Sequence, residues 1–171
     1  MSAAGFIVRR TVEEDWREVR ELRLEMLADT PVAYLETYEQ AQDHPEKHWR
    51  TRARDGSAAP DRITVVAILD DGDWVGSMTG ITYEGVADSF LVAVYVAEDY
   101  RGSAAGVTDA LLAEIDAWAR ARGDGLRLEV NETNLRARAA YTKRGFTETG
   151  STRPYPLDPS LREIEMRKPL R

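Results

Sequence analysis

The sequence predicts an α/β fold: a single domain with a mixed, mostly antiparallel central sheet flanked by helices. Three observations predict it. Two apolar stretches, ITVVAIL at residues 63–69 and the WVGSMTGITY that follows, are separated by DDGD, a hairpin turn between antiparallel strands. SFLVAVYV, residues 89–96, is almost continuously apolar, the pattern of a central strand buried on both faces. After residue 89 strands alternate with helical segments, whereas the earlier strands form a hairpin, so the sheet is mixed and not doubly wound. A chain of 171 residues suffices for one core, and residues 1–171 are read as one domain.

In chain order, GFIVRRT (5–11) reads as the first strand, and Thr11 followed by Glu14 as a capping box for the next helix. Trp16, Val19, Leu22 and Met26 recur at helical spacing through residue 28. Pro31 lies in a break. Tyr38 to Arg54 reads as a second helix in two pieces, the more secure one opening at Pro45. GSAAPD (56–61) is a loop. After the hairpin, residues 84–88 form a turn before the central strand. Val107, Leu111, Ile115 and Trp118 make one stripe of the following helix, which Gly123 and Gly125 end. LRLEV (126–130) is a short strand. Asn134 caps a helix that runs to about Arg144 and stops at Gly145. Phe146 begins another strand, and STRPYPLDPS (151–160) is a loop before the last strand, REIEMRKPL.

Composition narrows the function classes. The chain has 43% hydrophobic and 31% charged residues, ordinary for a globular protein. It has no cysteine, which excludes a disulfide framework, a thiolate nucleophile and a thiolate metal site, and fits a cytoplasmic location. The N-terminus lacks a sustained apolar segment before VEEDWREVR, and no apolar run reaches a membrane-spanning length. Neither a signal peptide nor a membrane partner is expected. With 23 basic and 30 acidic side chains the formal charge is −7, which argues against nucleic acid and favours a cationic acceptor through the overall field. His44 and His48 stand i,i+4 and would bind a metal only with further ligands, so no metal is expected.

Two segments carry the chemistry. The central strand runs into an arginine-led turn of small residues, YRGSAAG, which opens directly onto an amphipathic helix. Such a junction offers free backbone N–H groups to a phosphate-bearing ligand. The G-x-G-x-x-G fingerprint of a dinucleotide fold is absent. Further on the chain reads NETNLRARAAYTKRGF, residues 131–146.

Together these segments resemble the GNAT family of N-acetyltransferases, and the resemblance covers nearly the whole chain. That family shows Gln or Arg, two variable residues, Gly, one variable residue, then Gly or Ala; Arg101 and Gly106 match, and Ala104 stands where the middle glycine is usual. The resemblance implies a splayed sheet with a slot for acetyl-CoA, whose pyrophosphate the amides of Gly102, Ser103, Ala104, Ala105, Gly106 and Val107 would cradle. Alanine restricts positive φ, so Ala104 weakens binding if the turn needs that conformation and is harmless otherwise. Asn134 would meet the pantetheine arm, and Ala137 would let the cofactor pass close to its helix. Tyr141 would give a proton to the departing thiolate; it also reads as a packing residue, and Asn134 as an N-cap. Strand residues 91–96, with Val94 and Val96, would supply backbone partners, and amides near Val92 to Val94 would polarise the thioester carbonyl.

The resemblance implies direct attack by a neutral primary amine. Asp88 and Glu84, before the central strand, are candidate bases. Glu36 and Glu39 lie in the acceptor-facing inter-helical region and would recognise a cation, and Glu129 is a further acceptor-side carboxylate. Each of these acids also reads as a solvated turn, helix or strand residue. Tyr34, Tyr38 and Tyr155 would line the acceptor entrance, residues 28–43 and 151–159. Trp49, Trp74 and Phe146 read as packing residues, and Arg136, Arg138, Lys143 and Arg144 as a helix face of which one or two would meet the nucleotide phosphate. The expected function is acetyl transfer from acetyl-CoA to a small cationic amine, a metabolite or antibiotic. A protein or peptide N-acetyltransferase and a non-catalytic acyl-CoA sensor are the alternatives. A homodimer is expected from the resemblance.

Overall fold

Among residues 5–171, which the computed structural model describes, seven strands join in one sheet. They are β1 (Phe6–Arg10), β2 (Arg62–Leu69), β3 (Trp74–Ile81), β4 (Ser89–Val96), β5 (Gly125–Asn131), β6 (Thr147–Tyr155) and β7 (Asp158–Pro169). Their order is β1-β2-β3-β4-β5-β7-β6. All neighbours are antiparallel except β4 and β5. This is the mixed, mostly antiparallel sheet that the hairpin and the later alternation predict. The leading MSAA of the stretch read against a signal peptide lies outside the described residues. No described helix is long and apolar enough to cross a membrane.

Two cores flank the sheet. Tyr95 belongs to one, with Leu22, Met26, Leu27 and Trp49 from α1 (Trp16–Asp29) and α3 (Glu46–Ala58). The adjacent Val96 belongs to the other, with the whole predicted stripe Val107, Leu111, Ile115 and Trp118 of α4 (Val107–Arg120). Successive strand residues point to opposite faces, so the central strand is clamped from both sides. A Cβ on Gly80 of β3 would sit 3.0 Å from the Trp118 ring, so the missing side chain lets α4 lie directly on the strand. Each large apolar side chain buried here contributes roughly 1.5–3 kcal/mol.

Several local expectations change. Thr11 caps no helix; its hydroxyl is buried and donates to the Ala53 carbonyl of α3 at 2.8 Å. Asp15 takes the capping role instead, accepting from the Val12 N–H at 2.8 Å. The second helix is indeed two pieces, α2 (Tyr38–Gln42) and α3, with Pro45 immediately before α3. Helix α3 runs through Ala58, so the loop placed at residues 56–61 begins late. The loop placed at 151–160 is mostly strand. β6 continues to Tyr155 and pairs with β7 through Thr152↔Ile164, Arg153↔Glu163 and Pro154↔Arg162. β6 is an outer strand exposed along nearly its whole length, so it shows no apolar alternation, and an edge tolerates Pro154.

Two irregularities at the centre shape the site. β4 and β5 pair only at Ser89↔Leu126 and Phe90↔Arg127 and then separate, leaving a V that opens toward the C-terminal end of β4. On its other side β4 bulges. Ser77 pairs with Tyr95 and Thr79 with Val92, so Ala93 and Val94 both oppose Met78. Ala93 has φ 51°, a left-handed conformation that costs a non-glycine residue on the order of 1–2 kcal/mol. A bulge turns the following peptide groups out of the ladder and into the V.

Candidate active site

The V holds two clefts, one of about 680 Å³ and one of about 570 Å³. Both are walled by Ala33, Tyr34, Leu91, Val92, Ala93 and Glu129, so they meet at the β4 bulge.

The first cleft runs from the bulge to the start of α4. Gly102 and Gly106 have φ of 90° and 75°, and no atom lies within 4 Å of where their Cβ would be. Gly106 directly precedes α4, whose first-turn N–H groups have no partners within the helix. Ala104 does not have a positive φ; among described residues Ala93 is the single non-glycine that does. The turn therefore asks nothing of position 104 that alanine cannot give. Ala104, Ala105, Gly106 and Val107 place no side chain in the cleft wall, and Val107 is wholly buried in the core. Arg101 is occupied: its Nε donates to the Val96 carbonyl at 2.7 Å and its Nη2 to Asp29 at 2.5 Å. It braces the turn against β4 and α1.

The opposite wall is the segment before and along α5 (Leu135–Lys143). Asn134 is the N-cap, accepting from the Ala137 N–H at 3.2 Å, and also lines the cleft with Ala137. Its amide NH2 stays available. Asn131 accepts from the Thr133 N–H and hydroxyl, while its Nδ2 is buried with no partner. Tyr141 lines the cleft with its ring edge-on to Phe146 at 5.6 Å. Burial pushes the Tyr141 phenol well above its ordinary pKa, so it remains a proton donor across the physiological range. Arg136, Lys143 and Arg144 border the cleft, with Arg144 held by Asp109 at 2.7 Å. Arg138 turns away to Glu148.

The second cleft lies on the other side of the bulge. Its β5/β7 wall carries Glu129 and Glu163. Alternation puts Glu129 and Asn131 on the face opposite Leu128 and Val130, and the pairings Glu129↔Glu165 and Asn131↔Glu163 carry that polar face onto β7. Arg153 holds Glu129 through its Nε at 2.9 Å. Glu163 is 6% exposed; burial, and then the nearby Glu129, raise its pKa above the usual carboxylate value. The facing α3/β2 wall carries Arg52 and Arg62, with Arg23 beside them.

The structure brings together Val94, Val96, Arg101, Gly102, Ser103, Asn134, Ala137 and Tyr141 in the first cleft, and Tyr34 and Glu129 at the junction. It does not bring Asp88 there. Asp88 sits at the closed end of the V, about 17 Å along the strand from Ala93 at the usual rise per residue. Arg127 and Arg167 clamp it at 2.7 and 2.8 Å, and the Arg167 hydrogen bond leads in holding its carboxyl below the ordinary range. Glu84 is exposed in the turn before β4 and lines neither cleft. Glu39 and Tyr38 lie exposed on α2. Burial alone would raise the Glu36 carboxyl, but hydrogen bonds from His44 and Arg23 outweigh it and hold it low. Tyr155 is a buried strut, donating to the Tyr34 carbonyl at 2.6 Å. Sequence reasoning missed Glu163, Asn131, Arg52 and Arg62. The one signal for Glu163 was its place in the alternation of REIEM; the arginines, on α3 and β2, belong to no motif. Among described residues no group of three or more His, Asp or Glu is placed to hold a metal.

A family model described as the acetyltransferase (GNAT) family matches residues 16–146. The chain belongs to the GNAT acetyltransferase family. As a GNAT member it is an acetyl-CoA-dependent N-acetyltransferase. Among curated protein sequences none matches it. It is similar in fold to a GNAT acetyltransferase from Streptococcus pneumoniae, with TM-score 0.80 and 19% identity over 96% of this chain and 99% of that one. It is similar to PaiA N-acetyltransferase from Thermoplasma acidophilum in complex with coenzyme A, with TM-score 0.75 and 17% identity over 96% and 99%. Nourseothricin acetyltransferase is 31% identical over 66% of this chain and 67% of that one, with TM-score 0.60. The first cleft suits the GNAT cosubstrate: the glycines leave room for phosphate oxygens against backbone N–H groups, and the orphaned Asn131 Nδ2 is a donor in search of an amide carbonyl.

Proposed function

We propose that the chain acetylates the primary amine of a small molecule by direct attack in a ternary complex. The observation that carries this reading is the meeting of two clefts at one bulge, one fitted to acetyl-CoA and the other with Glu129 and Glu163 on one of its walls. Acetyl-CoA supplies an activated acyl thioester.

The chain's own residues do the rest. Backbone N–H groups from Gly102 to Thr108 hold the pyrophosphate, with Arg136 or Lys143 meeting the nucleotide phosphate. Asn131 and Asn134 donate to the pantetheine arm. Backbone N–H groups at the bulge, Val92 to Val94, polarise the acyl oxygen. Tyr141 gives its proton to the departing sulfur. Glu163 takes the proton of the incoming ammonium. Burial suits it to that task, since a carboxylate of raised pKa is a stronger base than an exposed one. Glu129, at the junction and held by Arg153, attracts the amine. Asp88 and Glu84 have no part in this scheme, because neither faces a cleft.

A cleft of about 570 Å³ matches a metabolite or drug-sized ligand. The reading is tested by following CoA thiol release from acetyl-CoA with a panel of amino acids, polyamines, aminoglycosides, peptides and nourseothricin, since nourseothricin acetyltransferase is 31% identical over the matched part. Amine-dependent release with the matching acetylated mass supports the proposal. Peptide products alone would move the acceptor class to proteins.

A further inference from the structure

The second cleft has charge of opposite sign on its facing walls, and only part of it is neutralised within the protein. On the β5/β7 wall Arg153 pairs with Glu129, leaving Glu163 buried with Arg153 no closer than 4.0 Å. Beside the α3/β2 wall, Arg23 of α1 is satisfied by Glu36 at 2.9 Å and lies over the Tyr34 ring. Arg52 and Arg62 line the cleft with no hydrogen bond or ion pair to any described residue.

Their grouping is costly. Burial pushes the Arg52 pKa down to about 10, and the neighbouring Arg23 and Arg62 push in the same direction. Arg52 is still fully charged at neutral pH, so the fold holds a half-buried guanidinium beside two like charges that Glu36 only partly offsets. A carboxylate or phosphinate matches the planar fork of donors that a guanidinium presents.

We propose that the acceptor is a zwitterion of amino-acid type, its oxyanion bound by Arg52 and Arg62 while its amine lies toward Glu163 and Glu129. This rests on the small-molecule acetyltransferase reading and narrows its substrate class. It reverses the lean toward a purely cationic acceptor that the net charge of −7 suggested, because the local field of the cleft and not the whole surface decides what binds there. The anion locks the acceptor at one end and points its amine at the bulge, which is the positioning that direct attack requires.

The test uses matched acceptors: an α-amino acid, its carboxamide, its decarboxylated amine and its phosphinate analogue. kcat/KM is measured with the wild-type protein and with Arg52→Gln, Arg62→Gln and Arg52→Lys. The wild type is expected to prefer the two oxyanion-bearing acceptors over the neutral ones by about 100-fold, as two charge-assisted contacts imply. Either glutamine variant should collapse that ratio through KM, with partial recovery in Arg52→Lys; the carboxylate and phosphinate arms show which oxyanion fits better. In parallel, calorimetry with saturating CoA reads binding of the N-acetylamino acid, which needs no turnover. Loss of at least tenfold in its affinity in Arg52→Gln supports the anion site even if transfer fails. Acetylation of the neutral amines in preference to the zwitterions, or a ratio unchanged in both glutamine variants, overturns the proposal while leaving the transfer reading intact. Absence of both product binding and transfer overturns it as well.

Discussion

The Tyr34 hydroxyl donates to the Val94 carbonyl at 2.7 Å, tying the segment after α1 to the β4 bulge. Tyr155 in turn donates to the Tyr34 carbonyl, so the tip of the β6–β7 hairpin, Tyr34 and the bulge form one chain of support. The bulge has left the regular ladder, and this bond satisfies one of its freed carbonyls. Tyr34→Phe leaves that carbonyl unpaired in a buried site. The expected loss of stability is about 1–3 kcal/mol, with a fall in kcat as the bulge loosens. Urea unfolding and steady-state kinetics read the two effects.

Tyr141→Phe keeps the ring on Phe146 and removes only the donor. Turnover should fall by roughly 100-fold with acetyl-CoA affinity little changed. Rapid-quench rates and equilibrium binding separate them; equal turnover under chemistry-limited conditions would remove Tyr141 from the reaction.

Glu163 has a folded pKa raised above its unfolded value of about 4.3. Its protonated form therefore stabilises the fold below that unfolded value, and the contribution is lost as pH rises through the folded value. Activity runs the other way, because the base form accumulates over the same rise. The acidic limb of the kcat/KM profile should thus lie above the ordinary glutamate range. Glu163→Gln should abolish that limb and lower kcat/KM by about 100-fold.

Asp88 behaves oppositely. Its depressed folded pKa gives stability that is present above about 3.9, the unfolded value, and is lost as pH falls through the folded one. Asp88→Asn should destabilise by about 1–3 kcal/mol at neutral pH by depriving Arg127 and Arg167 of their shared anion, and should flatten the acid dependence of unfolding. Chemistry per folded molecule should be unaffected, as active-site titration would show.

Ala104→Gly should change acetyl-CoA affinity by less than about threefold, since residue 104 has no left-handed φ to relieve. Titration calorimetry checks this; a gain of several orders of magnitude would show that alanine strains the turn.

What the sequence revealed follows the reach of each signal. Helix α4 and its stripe were legible because periodicity is local, and so were Gly106 and Asn134, whose roles belong to helix ends. The start of β6 after Phe146 was legible, but its reach to Tyr155 was hidden because an exposed edge strand has no face to bury. The placement of the acidic residues was hidden for another reason. Asp88 and Glu163 are 75 positions apart by their numbering, and only the parallel pairing of β4 with β5, followed by β7, decides that one lies at the closed end of the V and the other in the cleft. Arg52 and Arg62 meet across a helix and a strand that no motif joins.

The most direct measurement is a rapid-quench single turnover with acetyl-labelled acetyl-CoA, separating cosubstrate, protein and amine product. The account predicts that label passes to the amine only when amine is present and never resides on the protein. Label on a protein residue, or none transferred from demonstrably bound acetyl-CoA to any acceptor, would contradict direct transfer across the β4 bulge.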